Sequence, residues 1–211
     1  MNSITTLPIG NCAYSTAFCP SNPALVSAVS SDSHLRIFDL RTPVTAKYHL
    51  TAAIPVHAPP PGFPGQPVPA VGPGEVLTHD WNKYNHSIIA TGGVDKIVRT
   101  FDIRNPTSGP VSLMEGHGYA VRRLAWSPHE SDILITASYD MTVRVWTDGS
   151  KYPNDPTLPG MRGRQIGLMN RHTEFATGVD WCLFGQGWVA SVGWDERVLL
   201  WDARPFFANR F

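Results

Sequence analysis

Two histidine–aspartate pairs are the residues of this sequence whose types could support acid–base chemistry. His117 precedes Asp140 by 23 positions, and His172 precedes Asp195 by the same interval. A carboxylate beside an imidazole can orient the ring for proton transfer, as in a general base. Because the spacing occurs twice, however, it indicates a repeated structural unit, and we expect these four residues to be structural.

The repeat extends further than the two pairs. Four times, an Asp stands six residues before a Trp or Phe and fourteen residues after another aromatic residue. The four copies are Phe18–Asp32–Phe38, Trp81–Asp95–Phe101, Trp126–Asp140–Trp146 and Trp181–Asp195–Trp201. They predict repeat units at about 10–41, 72–104, 116–148 and 171–203, within a single domain over 1–211.

Short strand-like runs fill each unit. In the third unit they are "AVRRLAW", "DILITAS" and "TVRVW", separated by the turn segments "SPHES" and "YDM". β-Branched and aromatic residues dominate these runs, and a fourth run follows the Trp or Phe in the first two units. Four antiparallel strands per repeat predict an all-β fold with propeller blades. The Pro- and Gly-rich segments 55–74 and 148–168 are predicted to be loops between repeats.

Composition narrows the class of partner. The 211 residues include 17 basic and 17 acidic side chains, so there is no basic excess of the kind that nucleic-acid binding needs. The three cysteines lack the spacing of a zinc site. No Gly-rich phosphate loop or hydrolase motif is present. We therefore predict no catalytic residues, no metal, no cofactor and no nucleic-acid partner.

The amino-terminal sequence and the hydropathy pattern bear on location. "MNSITTLPIGN" has neither the basic nor the apolar region of a secretory signal, and no run approaches 18 apolar residues. These features predict a soluble intracellular chain with no direct membrane insertion.

The third unit, "GHGYAVRRLAWSPHESDILITASYDMTVRVW", resembles a WD repeat. The resemblance implies a buried hydrogen-bonded tetrad of His117, Ser138, Asp140 and Trp146. The fourth unit keeps His172, Asp195 and Trp201 but has Gly193 at the position of the Ser. The first two units lack the His and end in Phe, so we expect weaker networks there.

Longer motifs resemble the peroxin-7 family, which comprises receptors for the type-2 peroxisomal targeting signal. "DWNKYN", "AVRRLAWSP" and "RHTEF" followed by "GWDE" carry this resemblance across most of residues 75–202. It implies a cytoplasmic receptor that binds the N-terminal helical signal of peroxisomal matrix enzymes, such as thiolase-like cargo. It also implies a co-receptor peroxin, a peroxisomal docking complex, and shuttling between the cytoplasm and the peroxisomal membrane and matrix.

The number of repeats is smaller than this family implies. Its propeller has seven blades, so four repeats predict the carboxy-terminal part of a longer propeller, as in a fragment or an incomplete gene model. A closed four-bladed ring, with Ser3–Leu7 completing the last blade, is the alternative. Two other functions also remain open: a generic WD scaffold or adaptor in a multiprotein complex, and a truncated, non-functional receptor fragment.

Propellers bind ligands through the loops before the first strand of each blade and the turns between the second and third strands. These positions predict a cargo-binding face that contains Glu75, Val94, Ala120, Arg122, Tyr139, Glu174, Phe175 and Trp194. The aromatic residues would anchor the apolar side of the signal helix, and Glu75 or Glu174 would pair with its basic residue.

Overall fold

The computed structural model of the chain describes residues 5–57, 74–151 and 163–207. The strands form four antiparallel sheets, which we call blades 1 to 4 in chain order. Helical structure in this part of the chain is confined to two 3₁₀ turns, Lys47–His49 and Arg204–Phe206. The predicted all-β architecture is therefore confirmed.

Each blade is a meander in which consecutive strands pair. Blade 1 contains β1 (Ala13–Cys19), β2 (Asn22–Ser30), β3 (His34–Asp39) and β4 (Leu50–Pro55). Blade 2 contains β5 (Val76–Trp81), β6 (Ile88–Gly93), β7 (Val98–Asp102) and β8 (Ser112–Met114). Blade 3 contains β9 (Val121–Trp126), β10 (Ile133–Ser138), β11 (Val143–Thr147) and β12 (Arg164–Met169). Blade 4 has three described strands, β13 (Ala176–Trp181), β14 (Trp188–Gly193) and β15 (Val198–Asp202).

One loop prediction needs correction. Residues 164–169, at the end of the predicted loop 148–168, form β12 and pair with β11. The proline residues of that loop lie before position 160, whereas Arg164–Met169 has none and can complete a ladder. Most of the other predicted loop, 55–74, lies outside the described residues, as do the first two residues of the segment Ser3–Leu7.

The turn between the second and third strands explains the recurring Asp. The Asp side chain accepts a hydrogen bond from the backbone N–H two residues later, as in an Asx turn. The residue between them has a positive φ angle and lies in the left-handed region. This geometry occurs at Asp32–His34, Asp95–Ile97, Asp140–Thr142 and Asp195–Arg197, with φ of 67°, 71°, 66° and 62° at the intervening Ser33, Lys96, Met141 and Glu196.

In blades 2 to 4, the aromatic residue near the end of the first strand is buried against the preceding blade. Trp81 is buried against blade 1, where its indole N–H donates to Ser27 Oγ at 2.8 Å. Trp181 is buried against blade 3, where its indole N–H donates to the Ala125 carbonyl at 3.1 Å. The innermost strands β1, β5, β9 and β13 consequently pack side by side in chain order.

A buried histidine lies in the first of these junctions. His79 Nε2 is 2.7 Å from Ser27 Oγ, which also donates to the Ala17 carbonyl. Since Ser27 uses its proton on Ala17, the His79 ring must donate from Nε2. Burial, with a smaller contribution from the Arg123 charge, lowers the pKa of His79 to about 3. The folded protein therefore holds this imidazole neutral.

We expect this neutral imidazole to make the fold sensitive to mild acid. The pKa of His79 in the folded protein lies below the value of about 6.5 for an unfolded histidine. Its contribution to the free energy of unfolding is therefore complete above pH 6.5 and declines as the pH falls below that value. The free energy of unfolding should fall by about 1.4 kcal/mol for each pH unit below 6.5 because of His79. Urea unfolding of the wild type and of His79→Gln at pH 7.5 and 5.5 measures it. Equal pH dependence in the two proteins would contradict the assignment.

Candidate functional site

The predicted cargo-face positions lie at one edge of the blades. The first strand of each blade starts at this edge, and the turn between the second and third strands returns to it. Backbone hydrogen bonds join the two sets of positions within a blade. The N–H groups of Val94, Tyr139 and Trp194 donate to the backbone carbonyl oxygens of Glu75, Ala120 and Phe175, respectively, at 2.9–3.1 Å.

Three aromatic side chains at this edge form a continuous cluster across blades 3 and 4. The rings of Tyr139 and Phe175 have centroids 4.9 Å apart, and those of Phe175 and Trp194 are 5.1 Å apart. Tyr139 and Trp194 complete the triangle at 6.3 Å. Tyr139 and Phe175 are half-buried, whereas Trp194 is 64% exposed. We call these three residues the aromatic cluster.

The charged candidates lie on different parts of this edge. Glu75 is half-buried and accepts a hydrogen bond from the hydroxyl of Tyr14 in blade 1 at 3.0 Å. That bond raises the pKa of Tyr14. Glu174 is exposed and immediately precedes Phe175, so it borders the aromatic cluster. Arg122 is half-buried near the start of β9 and adds a positive charge to the same edge.

Two further residues at this edge did not emerge from the sequence pattern. Tyr119, just before Ala120, is 63% exposed, and the Lys96 ammonium lies 5.8 Å from the centre of its ring. The pair bridges the turn of blade 2 and the start of blade 3. The sequence could have indicated Tyr119, because it directly precedes the predicted position Ala120. However, the other repeats have no tyrosine at the equivalent position, so the repeat pattern did not select it.

The buried network of blade 3 differs from the predicted tetrad in one member. His117 Nδ1 donates to Asp140 at 2.8 Å, and His117 Nε2 lies 2.6 Å from Thr136 Oγ. Trp146 Nε1 donates to the same Thr136 oxygen at 2.7 Å. Thr136 thus occupies the place predicted for Ser138, whose hydroxyl instead donates to the Tyr119 carbonyl.

Burial and hydrogen bonding fix the protonation of this network. Burial is the main cause that lowers the pKa of His117. For Asp140, burial alone would raise the pKa, but hydrogen bonds from His117, Thr142 and the Gly118 N–H hold it below its usual range. A neutral imidazole beside a carboxylate gives a single chain of donors: Trp146 to Thr136, Thr136 to His117, and His117 to Asp140.

Blade 4 contains a similar network that the sequence analysis placed incompletely. His172 Nδ1 donates to the buried Asp195 at 2.9 Å, and His172 Nε2 lies 3.0 Å from Ser191 Oγ. Ser191 stands at the position equivalent to Thr136, so Gly193 does not remove the hydroxyl member. Trp201 was predicted to complete the network, but its buried Nε1 has no hydrogen-bond partner among the described residues.

Blade 2 has a histidine member as well, contrary to prediction. His57 Nδ1 lies 2.7 Å from Asp95, and His57 Nε2 lies 3.0 Å from Thr91. His57 precedes Asp95 by 38 positions rather than 23, because the segment between blades 1 and 2 is long. Because this spacing differs from that in blades 3 and 4, the repeat pattern did not identify His57.

A substitution can test the hydroxyl bridge of blade 3. We expect Thr136→Val to lower the free energy of unfolding by about 2 kcal/mol, because His117 Nε2 and Trp146 Nε1 both lose their partner. Thr100→Val is the matched control, since Thr100 is equally buried but its hydroxyl has no partner among the described residues. Urea denaturation gives both values. Equal losses in the two variants would contradict the bridging role.

Other kinds of site are not evident in the parts of the chain that the structure describes. There, no group of three or more His, Cys, Asp or Glu side chains is arranged to hold a metal ion. Nor does this part of the chain contain a helix long and apolar enough to cross a membrane.

Similarity to known proteins agrees with the geometry. The family model "WD domain, G-beta repeat" matches residues 108–147, which include all of the blade 3 network. With the four antiparallel sheets, this match identifies the fold as that of WD-type propeller blades. The Saccharomyces cerevisiae protein named "Peroxisomal targeting signal 2 receptor" is 34% identical over an alignment of 215 positions that covers 91% of this chain. The chain is similar to peroxisomal targeting signal 2 receptors.

Relatives from other yeasts carry the same name. The Komagataella phaffii protein is 33% identical over 92% of this chain, and the Schizosaccharomyces pombe protein is 38% identical over 62% of it. The chain spans about half the length of the relatives that it matches most fully, namely 53% of the S. cerevisiae protein and 50% of the K. phaffii protein.

Proposed function

We propose that this chain binds the type-2 peroxisomal targeting signal, an N-terminal helical segment of peroxisomal matrix enzymes such as thiolase-like cargo. Similarity to receptors named for this signal supports the proposal. The binding surface is the edge that carries the aromatic cluster, and binding involves no covalent chemistry.

The aromatic cluster is the observation that carries the proposal. Tyr139, Phe175 and Trp194 form a continuous apolar surface that crosses a blade boundary. A helix with apolar side chains along one side buries them by lying on such a surface. Large aromatic side chains give much contact area at a small cost in conformational entropy, which suits them as anchors.

Glu174 is the acid that we assign to the basic residue of the signal. It is exposed and adjoins Phe175, so a cation at the end of the bound helix can reach it. Glu75 also lies at this edge, but its carboxylate already accepts the hydrogen bond of Tyr14. Charge pairing across a rim chiefly sets the orientation and association rate of the helix.

In the same proposal, the complex forms in the cytoplasm. A co-receptor peroxin covers the bound signal and brings it to a docking complex at the peroxisome, and the receptor then shuttles between the cytoplasm and the peroxisomal membrane and matrix. The names of the relatives refer to peroxisomal targeting and support the peroxisomal destination in this proposal.

A binding titration tests the proposal. A fluorescent type-2 signal peptide is titrated with the purified chain, and fluorescence anisotropy is recorded. We expect a Kd in the micromolar range or tighter. The control peptide has the same composition in a scrambled order, which destroys the apolar side of the helix. Equal affinity for the two peptides, or no binding by folded protein, would refute the proposed function.

A further inference from the structure

Gly193, the last residue of β14, lies where two segments of blade 4 approach each other closely. One is the segment 171–175, which precedes β13, and the other is the turn between β14 and β15. A Cβ atom at Gly193 would lie 2.9 Å from each of three atoms, the Phe175 carbonyl oxygen, His172 Nδ1 and Asp195 Oδ1. Cβ atoms do not approach other atoms so closely in folded proteins, so a side chain at this position would push the segment away from the turn.

Hydrogen bonds hold the same two segments together. Asp195, in the turn, accepts from His172 Nδ1 at 2.9 Å and from the Thr173 N–H at 3.2 Å. The Trp194 N–H donates to the Phe175 carbonyl oxygen at 2.9 Å. Three hydrogen bonds therefore join the segment to the turn, and all of them depend on the close approach that the glycine permits.

Two of the three rings of the aromatic cluster project from these two segments. Phe175 ends the first segment and Trp194 begins the turn, and their ring centroids are 5.1 Å apart. Because the two backbones are bonded to each other, the distance between the rings follows the distance between the backbones. The third ring, Tyr139, belongs to blade 3 and contacts both of the others. A displacement of either segment would therefore break the continuity of the apolar surface.

Blade 3 shows that the turn itself does not require a glycine. Ser138 stands at the equivalent position, two residues before the turn Asp, and its hydroxyl donates to the Tyr119 carbonyl at 3.0 Å. The Tyr139 N–H still donates to the Ala120 carbonyl at 3.1 Å. In that blade, however, the residue bonded to the turn is an alanine, so no pair of rings has to meet across the gap.

We propose that Gly193 is a positioning residue for the targeting-signal site. Its lack of a side chain lets the segment 171–175 close on the turn, and this closure brings Phe175 and Trp194 together as one surface. The inference rests on the proposed function and gives a role in it to a residue that acts only through its neighbours. A binding site must be held within about 0.5 Å of its productive geometry. Moving a Cβ atom from 2.9 Å to the 3.4 Å at which ordinary contact begins consumes that tolerance.

Gly193→Ala and Gly187→Ala form a matched pair that tests the proposal. Gly187 also belongs to blade 4, but it lies in the loop between β13 and β14, at the opposite edge. A side chain there would meet Arg204 and would have a φ of 78°, in the left-handed region, so this variant is strained as well. We expect both variants to be less stable in urea than the wild type. Only Gly193→Ala should bind the fluorescent signal peptide more weakly, by about tenfold or more.

A second variant keeps the test decisive if Gly193→Ala does not fold by circular dichroism. Asp195→Asn retains the glycine and the size of the turn side chain, but it weakens the bonds from His172 and Thr173. We expect it to weaken peptide binding in the same direction and by a smaller factor. Full affinity in folded Asp195→Asn would contradict the positioning role of this junction.

Hydrogen exchange measured by mass spectrometry gives a readout that needs no peptide. The Trp194 N–H is held by the Phe175 carbonyl, so its segment should exchange faster in Gly193→Ala than in the wild type, and no faster in Gly187→Ala. Unchanged exchange in this segment, or wild-type affinity in folded Gly193→Ala, would overturn the proposal. If the wild type itself fails to bind the peptide, the proposed function is refuted, and the exchange result alone decides whether Gly193 holds the two segments together.

Discussion

Replacing Trp194 with Ala is expected to weaken binding of the type-2 signal peptide at least tenfold while leaving the fold intact. Trp194 is the most exposed ring of the aromatic cluster and contacts both Tyr139 and Phe175. Truncating a central aromatic anchor typically costs about 2 kcal/mol, or about thirtyfold in affinity. Its exposure means that the folded chain loses little packing when the ring is removed. Anisotropy titration with the fluorescent peptide measures the change.

Phe184 provides the matched control for this experiment. It belongs to blade 4, like Trp194, and is 95% exposed, but it lies in the loop between β13 and β14, at the opposite edge of the blade. Phe184→Ala should leave the affinity unchanged. If Trp194→Ala binds as tightly as the wild type, or if Phe184→Ala loses as much affinity, the aromatic cluster is not the binding surface.

Replacing Asp140 with Ala is expected to lower the free energy of unfolding by about 3 kcal/mol, the largest stability effect that we predict. The carboxylate accepts hydrogen bonds from the His117 ring, the Gly118 N–H and both the N–H and the hydroxyl of Thr142. Its side chain is only 9% exposed. Removing one member of a buried, hydrogen-bonded pair leaves the other members without partners and typically costs about 3–5 kcal/mol.

An ion pair at the surface, in which only the arginine is largely exposed, supplies the comparison for Asp140. Asp102 pairs with Arg104, whose side chain is 68% exposed, so Asp102→Ala should cost less than about 1 kcal/mol. Urea denaturation measures both variants. Similar losses would show that the blade 3 network contributes no more than a surface ion pair.

The low pKa of Asp140 adds a pH signature to the same variant. A carboxyl group with a folded pKa below its unfolded value of about 3.9 stabilises the fold above that value, and the stabilisation is lost as the pH falls through the folded pKa. The difference in stability between wild type and Asp140→Ala should therefore shrink in strong acid. A difference that stays constant from neutral pH to pH 2 would contradict the role of the ionised carboxylate.

The spacing of side chains along the sequence determined the repeat, its strands and its turns. A turn Asp, an aromatic six residues later and another fourteen residues earlier are local requirements of one blade, so they recur at fixed offsets. For the same reason, the edge that carries Tyr139, Phe175 and Trp194 could be predicted. The positions that precede each turn and each first strand fall on one edge whenever strands alternate in direction.

Only the tertiary structure decided which hydroxyl joins the blade 3 network. Thr136 and Ser138 are two residues apart on β10, so both side chains point to the same side of the strand, and the sequence could not distinguish them. The depth at which the His117 ring enters the blade selects Thr136. His57 likewise contacts Asp95 only in the folded chain. The segment between two blades can vary in length without changing where its last residues lie, so a fixed offset in the sequence could not identify this histidine.

The tertiary structure also decided which of the repeated apolar positions are buried. Phe18 matches the buried Trp81 in the repeat pattern, and Leu200 matches the buried Val145, yet both are largely exposed. The pattern specifies a side chain that fits between two blades, but burial requires a neighbouring blade in contact with it. The sequence by itself thus determined what each blade presents, and the packing of blade on blade decided which of those surfaces are covered and where the aromatic cluster forms.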